Sequence, residues 1–89
     1  MGGSVSEIDI NRNIKVYPNP AYSAVTVEIK EWNNTPLEYS IYNMLSEKIS
    51  AGLLESPITN IGLISSGLHY IVIHDGNLQI IRKIINIKE

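Results

Sequence analysis

The chain has 89 residues, of which 44% are hydrophobic and 18% charged, with a net charge of −2 and no cysteine. This length holds one small domain with a modest core, in which about 60–65% of the unfolded surface is buried. A net negative charge with scattered basic residues excludes a nucleic-acid binder, which needs clustered positive charge, and the lack of cysteine excludes a disulfide framework, a thiolate zinc site and a thiol nucleophile.

Residues 1–13 are polar and aperiodic and read as a linker or disordered arm, with Ile8 and Ile10 as weak anchors. Met1-Gly2-Gly3-Ser4 lacks the charged and apolar regions of a signal peptide and reads as a cloning-derived start. The chain is therefore expected to be the excised end of a longer protein, with its folded domain spanning residues 14–89. No stretch reaches the roughly 18 apolar residues of a membrane span.

The first predicted strand, Ile14-Lys15-Val16-Tyr17, is stopped by Pro18 and Pro20, which lack the N–H that a central ladder needs. Val25, Val27 and Ile29 alternate with Thr26 and Glu28, the period of a half-buried second strand. Glu31 to Pro36 is turn chemistry. A third strand covers Leu37 to Tyr42, with Leu37, Tyr39 and Ile41 on one face, and Asn43 to Ser46 turns the chain. The fourth, Glu47 to Leu54, is weakened by Ala51 and Gly52, and a short fifth covers Ile58 to Ile61. The sixth, Leu68 to His74, is apolar on both faces and reads as central. Asp75-Gly76 gives a hairpin signal, because both residues tolerate positive φ. The seventh runs from Leu78 to Ile87, with Ile81, Ile85 and Ile87 on one face and Ile80 and Ile84 on the other.

Seven short strands at about ten-residue spacing predict an all-β fold, a seven-stranded antiparallel immunoglobulin-like β-sandwich. The cysteine pair and packed tryptophan of antibody domains are missing, so the likeness is one of architecture.

Little in the chain points to bond-making chemistry. His69 and His74 are five apart on one strand, so they fall on opposite faces and do not easily share a metal or proton; one or both read as surface histidines at a strand edge. Glu28, Glu38, Glu47 and Asp75 fall at solvent-facing or turn positions, without the paired carboxylates of a glycosidase. The serines lack a Gly-x-Ser-x-Gly elbow and a matched histidine. Asn33-Asn34-Thr35 matches a glycosylation sequon weakened by Pro36. No catalytic residue, cofactor or metal ligand is assigned. Trp32 and the tyrosines fit either a sugar-binding platform or core packing with wet hydroxyls, and the core reading is strongest for Tyr39 and Tyr70.

Four segments carry a resemblance in order and spacing: Tyr17-Pro18-Asn19-Pro20, Ile41-Tyr42-Asn43-Met44-Leu45-Ser46, Ser65-Ser66-Gly67-Leu68-His69-Tyr70-Ile71-Val72, and Arg82-Lys83-Ile84-Ile85-Asn86-Ile87-Lys88. Together they resemble the C-terminal sorting domain of the type IX secretion system of Bacteroidetes, over residues 14–89. Three positions depart from that pattern: Ala21-Tyr22-Ser23, where a glycine is frequent; Ser46, in place of glycine; and His69, in place of an aliphatic residue.

The resemblance implies a non-catalytic label on a larger cargo protein. The cargo crosses the outer membrane through the type IX machinery, reaching the cell surface or the medium by way of the periplasm. A sortase-like peptidase then cuts within residues 4–13, and the cargo is in some cases linked to anionic lipopolysaccharide. The recognition surface expected on this reading comprises Pro18, Asn19, Pro20, Gly67, Tyr70, Arg82, Lys83 and Lys88. Gly67 is equally explained by a turn that needs positive φ, and Arg82 and Lys83 by protection of an edge strand. An exposed edge also allows a weak homodimer. The competing reading is an adhesive or carbohydrate-binding module of a surface protein.

Overall fold

The computed structural model describes residues 14–75 and 78–87. The N-terminal arm, Gly76 of the expected hairpin turn and Lys88 lie outside these residues. Seven strands are present: β1 (Ile14–Tyr17), β2 (Ala24–Ile29), β3 (Leu37–Asn43), β4 (Lys48–Leu54), β5 (Ile58–Gly62), β6 (Gly67–Asp75) and β7 (Leu78–Asn86). They form two antiparallel sheets, one ordered β1-β2-β5 and the other β4-β3-β6-β7. The expected β-sandwich is the fold observed. Its β2–β3, β4–β5 and β5–β6 connections cross between sheets, while β1 and β2, β3 and β4, and β6 and β7 are consecutive antiparallel neighbours.

The core is the set of residues that alternation turns inward. Ile14, Val25, Val27, Ile29, Ile61 and Leu63 from the small-sheet side meet Ile41, Leu54, Ile71, Ile73, Ile80 and Ile84 from the large sheet. Ile81 and Ile85 face the other way and are exposed, as the period of two requires.

In β6 the phase differs from expectation in one respect. His69, Ile71 and Ile73 are the buried set, and Leu68, Tyr70 and Val72 lie half-buried on the outer face. Tyr70 is therefore not a core residue, and His69, 1% exposed, is not a surface histidine. The two histidines do fall on opposite faces. Tyr39 packs against the core as expected.

Two local features explain β4. The register shifts between Ile41↔Ser50 and Tyr42↔Lys48, leaving Ile49 as the extra residue of a bulge. Gly52 sits opposite Tyr39, whose ring lies across it: a Cβ at Gly52 would come within 2.8 Å of the phenol oxygen. The glycine that weakens the strand pattern thus makes room for the aromatic ring.

The β3–β4 turn is organised by Asn43. Its carbonyl accepts from Ser46 N–H at 3.0 Å, and its side-chain Oδ1 accepts from the N–H groups of Leu45 (2.9 Å) and Glu47 (3.0 Å). Ser46 then takes φ 66°, a left-handed conformation favoured by glycine.

Candidate functional site

Two of the segments singled out in the sequence meet on β7, which carries a third, while Ile41–Ser46 lies apart in β3 and the turn after it. Tyr17-Pro18-Asn19-Pro20 leaves β1 with both proline peptide bonds cis and runs beside the free edge of the terminal strand. The Asn19 carboxamide bonds that edge twice: Nδ2 donates to Lys83 O and Oδ1 accepts from Ile85 N–H, both at 3.1 Å. Ala21 continues the pairing, its N–H donating to Ile85 O and its carbonyl accepting from Ile87 N–H, both at 2.8 Å. Residues two apart in a strand present their main-chain groups to the same edge, so side chain and backbone together stand in for a short parallel strand.

A second junction lies at the end of β7. Asn86 is 2% exposed. Its Oδ1 accepts from Ser23 N–H at 2.7 Å, and its Nδ2 donates to Ser65 O at 2.6 Å. One buried carboxamide thereby ties the loop after Pro20 to the loop before Gly67. Ser65 is bonded in turn to His69. Because the Gly67 carbonyl can only accept, His69 Nδ1–H is the donor in that 3.0 Å bond, and in the neutral ring Nε2 then accepts from the Ser65 hydroxyl at 3.1 Å. The serine–histidine pair that the sequence patterns did not reveal is a strut between loop and strand.

Gly67 opens β6 at φ +104°, a region that a side chain rarely adopts. Its place opposite Asn86 puts this conformational requirement at the same junction.

The expected recognition residues divide by face. Tyr70 and Lys83 are direct cross-strand partners, and Tyr42 lies on the other side of Tyr70 with Lys48 opposite it. The outer surface of the large sheet therefore carries a row Lys48–Tyr42–Tyr70–Lys83, with Ile81 and Ile85 exposed beside it. Arg82 points inward instead, where its Nη2 donates to Ile14 O at 3.4 Å and joins the two sheets at the β1/β7 seam.

Trp32 and Tyr17 are each engaged elsewhere. Trp32 is half-buried against the core and lines a cavity of about 190 Å³ with Lys30, Glu31 and Asp75. Tyr17 donates to Glu28 Oε1 at 3.0 Å, and this bond to a carboxylate, followed by partial desolvation and the charge itself, raises the phenol above its usual pKa of 10.0.

Residues 15–88 match the family model described as secretion system C-terminal sorting domain. The chain belongs to this family. The sorting domain is the signal of type IX secretion, and the match takes in all four segments that carry the resemblance. A search of curated proteins found no match to it. Asn86 and His69, which hold the sorting domain's second junction together, are the residues that sequence reasoning missed. Asn86 is in phase with Ile80 and Ile84, and that phase was the available signal of its burial.

Proposed function

We propose that this sorting domain is the non-catalytic C-terminal address of a larger cargo protein, read in folded form by outer-membrane type IX machinery. After passage, a sortase-like peptidase separates it from the cargo by cutting within residues 4–13, leaving the cargo at the cell surface or in the medium. Family membership supports the sorting role. The observation that carries the finer reading is the convergence on β7, where Pro18-Asn19-Pro20 lies along the edge while Tyr70 and Lys83 stand together on the adjoining outer face.

A surface of this kind offers a docking partner an aromatic ring, aliphatic side chains and a cation on rigid strands. Main-chain groups of the β7 edge outside the part covered by Asn19 and Ala21 add affinity by strand-type hydrogen bonding. In this reading Pro18, Asn19, Pro20, Tyr70, Lys83 and Lys88 form the contact, while Gly67 and Arg82 hold its shape.

Residues 4–89, fused behind a periplasm-targeted fluorescent reporter, test the role in a type IX-competent strain and in a matched strain lacking the translocon. Surface or medium signal in the competent strain alone supports the proposal. Retention of an intact, folded fusion in the periplasm of both strains overturns it.

A further inference from the structure

The four strand edges of the sandwich are unequally protected. The edge of β7 is covered by Asn19 and Ala21 along its C-terminal half, and Arg82 and Lys83 are close by. The β1 strand carries Lys15 and runs into Pro18, and β4 begins at Lys48 and holds the Ile49 bulge. Charges, prolines and bulges are the devices that keep edges from pairing with other chains. The β5 sequence, Ile58-Thr59-Asn60-Ile61-Gly62, has no charge and no proline, and its register against β2 is unbroken.

The direction of its main-chain groups follows from the bonds at its two ends. Ile29 N–H donates to Pro57 O at 2.8 Å, and Leu63 N–H to Ser23 O at 2.9 Å. Odd-numbered residues therefore turn their main-chain groups toward β2, and Ile58, Asn60 and Gly62 turn theirs outward. Among the described residues, the one partner of these outward groups is the Ser56 hydroxyl, which donates to Ile58 O at 2.7 Å.

The edge is also complementary to itself. We propose that two copies of this chain associate through β5, antiparallel about a two-fold axis at Asn60, to give a continuous sheet ordered β1-β2-β5-β5-β2-β1. In this register Asn60 faces its counterpart and Ile58 faces Gly62 of the second copy. Each facing pair exchanges two main-chain hydrogen bonds. Ile58, 58% exposed, lies over Gly62, where nothing is within 4 Å of an added Cβ. On the inner face Thr59 meets Ile61 of the second copy and extends the apolar layer. Two uncharged β5 edges meet without repulsion, whereas paired β4 or β7 edges would bring Lys48 or Lys83 side chains together. The interface occupies the edge of the small sheet farthest from β1, so it does not rest on the sorting reading.

Sedimentation equilibrium of the 89-residue chain, from micromolar to millimolar concentration, tests the proposal. Amide hydrogen exchange in the same samples reports on the edge directly. Asn60→Lys places like charges on the axis, and Gly62→Lys adds a side chain in open space; both positions are exposed, so the pairing with β2 is kept, as circular dichroism will verify. The expected result is a mass rising from 9.9 kDa toward twice that value, with exchange at Ile58, Asn60 and Gly62 slowed as concentration rises. Each variant should weaken association at least tenfold. A chain that stays monomeric to millimolar concentration, or a dimer that persists in both variants, overturns the proposal.

Discussion

Asn19 presents its side-chain amide to the backbone of Ile85 as a neighbouring strand would present a peptide group, accepting from the Ile85 N–H at 3.1 Å while it donates to Lys83 O. A proline-flanked asparagine can do this because neither Pro18 nor Pro20 brings a main-chain N–H of its own to the edge. Asn19→Ala should cost about 1–2 kcal/mol, the net worth of two partly exposed hydrogen bonds. Asn19→Asp should recover little of it, since a carboxylate cannot donate to Lys83 O. Urea denaturation gives the stability change, and faster amide exchange at Ile85 locates it.

Asn86 is buried, and each of its two partners is a main-chain group. Replacing it with alanine takes away the partner of Ser23 N–H and of Ser65 O where the residue is 2% exposed, at a cost of roughly 2–3 kcal/mol. That is a large share of the stability of a small domain. Chemical denaturation should show a lowered midpoint with the m-value unchanged.

Ser46 occupies a left-handed conformation at φ 66°. Ser46→Gly removes that steric cost and gives back part of the gain through a more flexible unfolded chain. The net expectation is a stabilisation of roughly 0.5–1 kcal/mol, read as a raised Tm with the β3–β4 register unchanged.

Lys83 offers its carbonyl to Asn19 and its exposed side chain to the outer face beside Tyr70. Lys83→Glu keeps the main-chain bond, so stability should stay within about 0.5 kcal/mol of the parent. Export of the reporter fusion should fall, and fall further with Lys88→Glu. Normal export of a stable doubly reversed variant would remove the lysines from the recognition surface.

The Tyr17 phenol, raised by its bond to Glu28, titrates above 10.0 in the folded chain. A group whose pKa is raised on folding supports the folded state below its unfolded pKa, and that support is lost as pH rises through the folded value. Chemical-shift titration of the Tyr17 ring should show the shift, and Glu28→Gln should bring the pKa back toward 10.0.

Most strands were legible because polar and apolar residues alternate, as in Val25 to Ile29. The phase of β6 was not, because both of its faces carry large apolar residues and the buried face includes His69. Tyr70 and His69 accordingly exchange their expected places. The junctions at β7 were hidden for a different reason. A polar residue in a strand reads as solvent-facing, and the partners of Asn86 come from Ser23 and Ser65, loops distant in the chain. The motifs at Pro18–Pro20 and Gly67–Tyr70 were visible as patterns, but their common dependence on one terminal strand appears only when the chain is folded.

That dependence has a bearing on timing. The strand that contributes Ile80, Ile84 and Asn86, and that receives Asn19 and Ala21, is the last one in the domain to be synthesised. A chain broken off before Leu78 has no means of closing either junction, however well its earlier strands pair. Both junctions therefore close late, and a folded domain of this construction attests that its own seventh strand has been made.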